Sequence, residues 1–171
     1  MTPREIEEYR ALRATIRQRG TARVWILVVG LLGWAGLVIA TAALATLPIA
    51  TLLPLLVLAG VFEAILALHV GVERLGRYIQ VFHEEQTGWE HVAMALGSAV
   101  RRGNDPLFTL VFAAAAILNF VPALIAEPVA VEVAVIGFAH VLFIVRIFLA
   151  RRDAARQRAR DLEAFQKLRN G

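Results

Sequence analysis

The chain contains no cysteine and only one lysine, Lys167; its other basic residues are 17 arginines. Without cysteine it has no disulfide, thiolate nucleophile, thiolate metal site or iron–sulfur cluster. Also missing are a Walker A loop, a G-x-S-x-G elbow, an H-E-x-x-H pair and an aspartate-rich helix of the kind that binds diphosphates through magnesium. The sequence therefore does not predict an enzyme of a standard mechanism.

What the chain has in excess is apolar surface. Hydrophobic residues make up 58% of the sequence and charged residues 19%, compared with about 45–50% and 25% in soluble domains. The excess is concentrated in four stretches, each long enough to cross the apolar core of a bilayer. We expect these spans at 24–47, 49–72, 107–126 and 128–150. The links between the first two and between the last two are very short, so the sequence predicts an all-α polytopic membrane protein with four transmembrane helices in two tight hairpins.

The basic residues lie almost entirely at one end of each apolar stretch. Six arginines precede the first span, four lie between the second and third, seven basic residues follow Ala150, and the two hairpin tips carry none. The positive-inside rule then places both termini and the middle loop in the cytoplasm, whereas an inverted topology would put all these charges outside. The arginine-rich and alanine-rich composition suggests a GC-rich bacterial genome, so we expect a multi-pass protein of the bacterial inner membrane.

This topology divides the chain into five segments. They are a cytoplasmic amphipathic helix at 1–22, a transmembrane hairpin at 23–72, a cytoplasmic helical loop at 73–106, a second hairpin at 107–150 and a basic cytoplasmic helical tail at 151–171. The run after Arg23 is too long, and the segment before it too acidic, for a cleaved signal peptide, so we expect the first span to be retained.

Local signals refine these boundaries. Thr2 and Glu5 have the spacing of a capping box, and Gly20 predicts an end or bend of the first helix. The second span has no stop signal at Val72, and its helical pattern continues through Val81 or beyond. In the loop, 88–101 predicts a short amphipathic helix with a second Thr-x-x-Glu pair at Thr87 and Glu90, followed by a turn at 103–106.

Three acidic or basic residues and an asparagine lie inside the predicted spans. Glu63 is near the middle of the second, where an isolated carboxylate is costly, and it is either a proton or cation site or a neutral carboxyl bonded to another helix. Asn119, close to Pro122, is expected to hold helices together by hydrogen bonds. Glu132 and Arg146 lie nearer the ends of the fourth span. The Arg146 guanidinium can reach toward the cytoplasm, so neither residue requires a function.

A polar stripe begins in the last turn of the second span and continues beyond it. His69 and Glu73 are four residues apart and share a helix face, which Arg77, Gln80 and Glu84 extend. We interpret the stripe as a salt-bridged face where the helix leaves the membrane. The alternative is a mouth for an ion, or for an acidic lipid headgroup held by arginines 74 and 77.

Histidines raise the question of a cofactor. His69 and His140, one in each hairpin, are candidates for haem ligation between helices. Imidazole and carboxylate groups at positions 69, 73, 83, 84 and 91 are candidates for a divalent metal. Their spacing matches no metal signature, and a lone histidine among apolar residues is more often bonded to a neighbouring helix. We therefore predict no cofactor.

The predicted function is a non-enzymatic oligomeric scaffold or accessory subunit. Glycines at 30, 33 and 36, with Ala40, and the alanine run at 113–116 favour close helix contacts. The expected partners are the lipid bilayer, further copies or other membrane subunits, and anionic headgroups at the cytoplasmic face. Basic charge beside membrane spans is not a nucleic-acid signature.

Two other functions stay open at this level. One is a small proton- or cation-conducting transporter or channel, whose pore would be lined by Glu63, His69, Glu73 and Asn119. The other is a haem- or metal-binding membrane protein.

Overall fold

The computed structural model describes residues 2–44, 47–85, 87–99 and 106–171, with only the backbone described at 94, 96–99 and 106–108. In chain order these residues form α1 (Pro3–Leu44), a short 3-10 helix (Pro48–Thr51), α2 (Leu52–Phe82), α3 (Trp89–Ala99), α4 (Pro106–Ile125) and α5 (Ala130–Asn170). No strand occurs within these described ranges. The prediction of an all-α protein is confirmed.

Three helical stretches are long and apolar enough to cross a membrane. They are α1, the 3-10 helix taken together with α2, and α5. Helix α4 contains a shorter apolar stretch, Thr109–Ile125, and Pro122 lies inside it. Three helices of this length and composition are typical of a membrane protein.

The long helices run further than the sequence boundaries suggest. Of the end or bend predicted at Gly20, the end does not occur, because α1 continues unbroken from Pro3 to Leu44. A glycine inside a helix costs only about 1 kcal/mol relative to alanine, whereas a break leaves backbone groups on both sides without partners. Similarly, α5 passes from its apolar part through Arg151 to Asn170. The predicted extension of the second span past Val72 is confirmed, since α2 ends at Phe82.

The first predicted cap is confirmed and the second differs. The backbone N–H of Thr2 donates to Oε2 of Glu5 at 2.6 Å, and that of Glu5 donates to Oγ1 of Thr2 at 3.3 Å. At the start of α3, however, the N–H of Glu90 donates to Oε2 of Glu84 at 2.7 Å, so a carboxylate six residues earlier takes the role expected of Thr87. The predicted turn at 103–106 begins within 100–105, outside the described residues.

The chain divides into two compact units. We call Val24–Ile65 with Pro106–Ala150 the apolar unit, and Met1–Arg23, Leu66–Asp105 and Arg151–Gly171 the polar unit. At the core of the apolar unit, the ring of Phe62 on α2 packs edge-on against Phe112 on α4 and Phe143 on α5, with centroids 5.3 and 5.9 Å apart. These contacts fix the faces of the three helices on which polar side chains meet.

Helix α1 buries none of its residues. It approaches α2 at Gly30, where an added Cβ would lie 2.5 Å from Cγ2 of Val61. At Gly33 and Gly36 an added Cβ would meet nothing within 4 Å. One face of α1 is therefore open in the single chain.

Several aromatic rings pack together in the polar unit. The ring of Tyr78 lies 4.8 Å from Phe82 on the same helix and 5.6 Å, edge-on, from Phe165 on α5. His83, just beyond α2, packs against the rings of Tyr78 and Tyr9, at 5.6 and 6.1 Å. These rings join parts of α1, α2 and α5 that carry many charges.

Candidate functional site

Asn119 on α4 is the centre of a hydrogen-bond network in the apolar unit. Its buried Oδ1 accepts from Nε1 of Trp34 on α1 at 3.2 Å. Its Nδ2 donates to the carbonyl oxygen of Thr51 at 2.9 Å and lies 3.1 Å from Nε2 of His140 on α5. One side chain thus bonds to three other elements, as an amide that holds helices together should.

His140 completes the network as a neutral ring. Its Nδ1 lies 2.7 Å from the carbonyl oxygen of Ile136, one turn earlier, so Nδ1 carries the proton and Nε2 accepts from Asn119. The buried ring also packs edge-on against Phe120, with centroids 5.0 Å apart. Both ring nitrogens are used by these bonds, so His140 can ligate a haem iron only if one bond is broken.

Glu63 on α2 forms a two-pronged ion pair with Arg146 on α5. Nε of Arg146 lies 2.7 Å from Oε1, and NH2 donates to Oε2 at 2.8 Å. This parallel geometry is the strong form of an arginine–carboxylate contact. The Glu63 carboxylate is therefore paired with another helix as an ion, and the guanidinium that was expected to reach toward the cytoplasm is directed at it.

Glu132 serves the backbone at the start of α5. Its Oε2 accepts from the N–H of Val129 at 3.1 Å, just before the helix begins at Ala130. A carboxylate here caps a free N–H and complements the positive end of the helix dipole. Glu127, in the preceding link, has a φ of 51°, a left-handed conformation that few residues other than glycine adopt. Glu132 therefore has a structural role at this turn.

The stripe on α2 is held by charges from α1 and α5 in the polar unit. NH1 of Arg23 lies 3.2 Å from Nδ1 of His69, and since a guanidinium only donates, the imidazole proton is on Nε2. Nε2 lies 3.5 Å from Oε1 of Glu73, which also accepts from NH1 of Arg158 at 3.2 Å. These contacts are those of a salt-bridged face, and they leave neither nitrogen of His69 free for a metal.

Arg77 is the least well paired member of the stripe. Its NH1 donates to Oε1 of Gln80 at 3.4 Å, a long bond. Nε of Arg77 and Oε2 of Glu73 are buried without a hydrogen-bond partner among the described residues. Burial lowers the pKa of the Arg77 guanidinium, and the charge of Glu73 opposes that effect. A donor and an acceptor one helical turn apart are thus available for one more polar group.

A second charged contact in the polar unit was not foreseen from the sequence. NH2 of Arg13 lies 2.7 Å from Oε1 of Glu84, and NH1 lies 2.6 Å from Oε1 of Glu90. One guanidinium thus joins α1 to the link that follows α2 and to the first turn of α3. Gly76 allows this approach, because an added Cβ would lie 2.9 Å from Oε2 of Glu90. No spacing rule connects residues more than 70 positions apart.

A cavity of about 350 Å³ opens in the polar unit between the end of α2 and the end of α5. It is lined by Gln80, Val81, His91, Leu162, Gln166, Arg169 and Asn170. NH1 of Arg169 donates to the carbonyl oxygen of Val81 at 2.8 Å, and both nitrogens of His91 face Gln80 at 3.3 and 3.2 Å. The most polar groups of the lining thus already bond to one another.

Comparison with known proteins identifies no relative. No protein-family model, no curated protein and no solved structure matches this chain. Its function must therefore be argued from its own residues. In the part of the chain that the structure describes, no three His, Asp or Glu side chains come together in a way that could hold a metal ion.

The structure thus collects the predicted site residues into separate groups. Asn119 and His140 share one network, Glu63 and Arg146 form one ion pair, and Glu132 caps a helix. His69, Glu73 and Arg77 belong to the stripe in the polar unit. Sequence reasoning missed Trp34 as a participant, although an indole N–H within an apolar run signals the need for an acceptor.

Proposed function

We propose that this is a multi-pass protein of a bacterial inner membrane, with four transmembrane helices in two hairpins and both termini in the cytoplasm. Its role is that of a non-enzymatic oligomeric scaffold or accessory subunit. The distribution of arginines supports the orientation. The third predicted span, at 107–126, is supported by the backbone of α4, whose 20 residues reach about 30 Å at the rise of an α-helix, the thickness of a bilayer core.

The observation that supports this proposal most is that polar side chains of the apolar unit form hydrogen bonds and ion pairs with one another. Asn119 is surrounded by its bonds to Trp34, Thr51 and His140, and Glu63 is paired with Arg146. A conduction path needs polar groups that face a water-filled cavity and can exchange one ligand for another. Groups engaged in fixed pairs hold helices together instead, which favours a scaffold over a channel.

Helix α1 supports assembly with other proteins. It buries no residue, and the exposed Gly33 and Gly36 leave room for another helix to approach. In the polar unit, arginines at 10, 17, 152 and 156 are exposed. Near an anionic bilayer surface each contributes about 1 kcal/mol of attraction, so we expect anionic headgroups to bind there.

The scaffold and channel hypotheses differ in what reconstituted protein does. In proteoliposomes the scaffold predicts a defined oligomer, measured by native mass spectrometry, with no proton or potassium flux above that of protein-free vesicles. If flux appears, and Glu63→Gln abolishes it while the capping variant Glu132→Gln does not, the scaffold proposal is wrong. If no flux appears from a well-folded oligomer, the channel hypothesis fails.

The haem or metal hypothesis has its own measurement. The occupied nitrogens of His69 and His140 predict a colourless protein without a Soret band after purification in mild detergent. A stoichiometric haem spectrum, or a stoichiometric transition metal by elemental analysis, would overturn that expectation. What co-purifies in the same detergent identifies any other membrane subunit.

A further inference from the structure

The ion pair between Glu63 and Arg146 is only half covered in the single chain. The side chains are 46% and 40% exposed, and they lie on the surface of the apolar unit. At the α-helical rise of 1.5 Å per residue, Glu63 is about 17 Å from the start of α2 and Arg146 about 24 Å from the start of α5, well inside a core of about 30 Å. Charges at such a depth are costly in lipid even when paired, so protein should cover them.

The residues around the pair differ in size on the two helices. One turn on either side of Glu63, the same face of α2 carries the exposed small residues Gly60 and Ala67. An added Cβ at Gly60 would meet nothing within 4 Å. One turn on either side of Arg146, the face of α5 carries Leu142 and Leu149, which are 52% and 45% exposed. The surface thus has an acidic, small side next to a basic, large side.

We infer that this surface, formed by Gly60 and Glu63 of α2 with Leu142, Arg146 and Leu149 of α5, binds a second copy of the same chain. This inference rests on the proposed function and names the partner that makes the oligomer. Copies of one membrane protein insert with the same orientation, so their two-fold axis runs along the bilayer normal. Rotation about that axis exchanges left and right between facing surfaces at equal depth.

Under that rotation the surface is complementary to itself. The carboxylate of each copy faces the guanidinium of the other, and the two ion pairs become one cluster of four alternating charges. Leu142 of each copy faces Gly60 of the other, where a side chain can approach the backbone closely. An acyl chain offers no charges to this surface. A different membrane protein would fit this surface only if it carried a basic, large side opposite the acidic, small side and an acidic, small side opposite the basic, large one.

Cross-linking tests the surface directly, because the chain has no native cysteine. Two differently tagged variants, Gly60→Cys and Leu142→Cys, are co-expressed and oxidised in native membranes. We expect a covalent dimer that carries both tags, since these positions lie level with each other across the axis. The matched control replaces Leu142→Cys by Val141→Cys, an exposed neighbouring position whose side chain lies on another face of α5, and should give no such dimer.

Charge reversal tests the pairing between copies. Glu63→Arg alone sets two guanidinium groups against two others, and Arg146→Glu alone sets carboxylates against carboxylates. Each should self-associate at least about tenfold more weakly than the wild type, corresponding to 1.4 kcal/mol. Co-expression of the two should restore a mixed dimer, and the double variant in one chain should restore self-association. Recovery in the mixture shows that a variant which dimerises poorly alone is still folded.

The outcomes separate this inference from the function on which it rests. If Ala40→Cys on α1 cross-links to itself and the pair at 60 and 142 does not, the protein is an oligomer through another face and the inference is wrong. The same holds if native mass spectrometry shows a different protein bound and no second copy. If the protein is a monomer in native membranes, both the inference and the oligomeric function are wrong.

Discussion

Nδ2 of Asn119 lies 3.1 Å from Nε2 of His140, and through this contact α4 is joined to α5 inside the apolar unit. The amide oxygen accepts a hydrogen bond from Trp34, and the Nδ2 group contacts the carbonyl oxygen of Thr51 and the ring of His140. In a membrane these bonds have no water to compete with them. They therefore specify which helix faces meet, beyond what apolar packing alone selects.

Asn119→Leu should loosen the apolar unit. The substitution keeps the volume but leaves the Trp34 indole, the Thr51 carbonyl and the His140 ring without their partner. Hydrogen bonds between membrane helices average about 0.6 kcal/mol, so three lost bonds should lower the free energy of unfolding by roughly 2 kcal/mol. Unfolding by SDS in mixed micelles measures it.

Thr41→Val is the matched control for that loss. The Thr41 hydroxyl donates only within α1, to the carbonyl oxygens of Leu37 and Val38 at 2.8 and 3.0 Å. Its removal should change stability by less than about 0.5 kcal/mol, as expected for a bond that joins no helices. Equal losses in the two variants would contradict the role given to Asn119.

Gly30→Ala should disturb the contact between α1 and α2. The new Cβ would lie 2.5 Å from Cγ2 of Val61, and a β-branched side chain has little rotamer freedom to move away. We expect a loss of about 1–3 kcal/mol, as for other overpacked sites, together with a shift in tryptophan emission if α1 moves. Gly33→Ala, where nothing lies within 4 Å, should cause no loss of stability and no shift in emission. A similar response from both variants would show that the close approach at Gly30 is unimportant.

Arg13→Gln should release α3 from the polar unit. The guanidinium joins Glu84 and Glu90, whose side chains are 7% and 16% exposed, and its loss leaves two covered carboxylates close together. Breaking a buried pair costs roughly 3–5 kcal/mol, and partial exposure of Arg13 should reduce this toward the lower end. Hydrogen exchange in 89–99 should therefore accelerate. Arg13→Lys, which can hold one carboxylate at a time, should fall between, and exposed Arg17→Gln should match the wild type.

Tyr78 should titrate at unusually high pH. Its hydroxyl donates to Oε1 of Glu8 at 2.9 Å, and this hydrogen bond, followed by burial and the charge of Glu8, raises its pKa above the usual 10.0. Because the pKa is raised in the folded state, the stabilisation is fully present below about pH 10 and is lost as the pH rises through the folded value. Absorbance of tyrosinate at high pH, in a Tyr9→Phe background, reports Tyr78 alone.

Two substitutions check this titration: Glu8→Gln removes the acceptor of the hydrogen bond, and Glu7→Gln is the control that removes a neighbouring charge and leaves the bond intact. Glu8→Gln should bring the Tyr78 curve back toward an ordinary pKa, whereas Glu7→Gln, an exposed neighbour, should leave it high. If the Tyr78 titration curve is the same in both variants as in the parent protein, the contact with Glu8 does not persist in solution.

Sequence reasoning succeeded where the information is local. An amide within an apolar run needs a hydrogen-bond partner wherever it is placed, so Asn119 could be predicted to join helices. Its partners could not, because Trp34 and Thr51 are 85 and 68 residues away and only packing brings them together. Likewise Glu63 and Arg146 were interpreted separately, and their separation of 83 residues carries no periodic signal.

Two local signals were overridden by context. Gly20 predicts a helix end, but α1 continues through it because the apolar run that follows needs its backbone bonds satisfied. Thr87 has the spacing of a cap for α3, yet Glu84 takes that N–H, since Arg13 holds Glu84 in place beside it. In both cases a preference of about 1 kcal/mol gave way to contacts that the local sequence does not contain.

The Asn119 network also sets an order for how the chain can mature during synthesis. Trp34 and Thr51 are synthesised before Asn119, but His140 follows it by 21 residues. Until α5 is made, one N–H of Asn119 lacks its final acceptor. A chain truncated before His140 therefore keeps this amide unsatisfied, and the network is complete only when α5 is present.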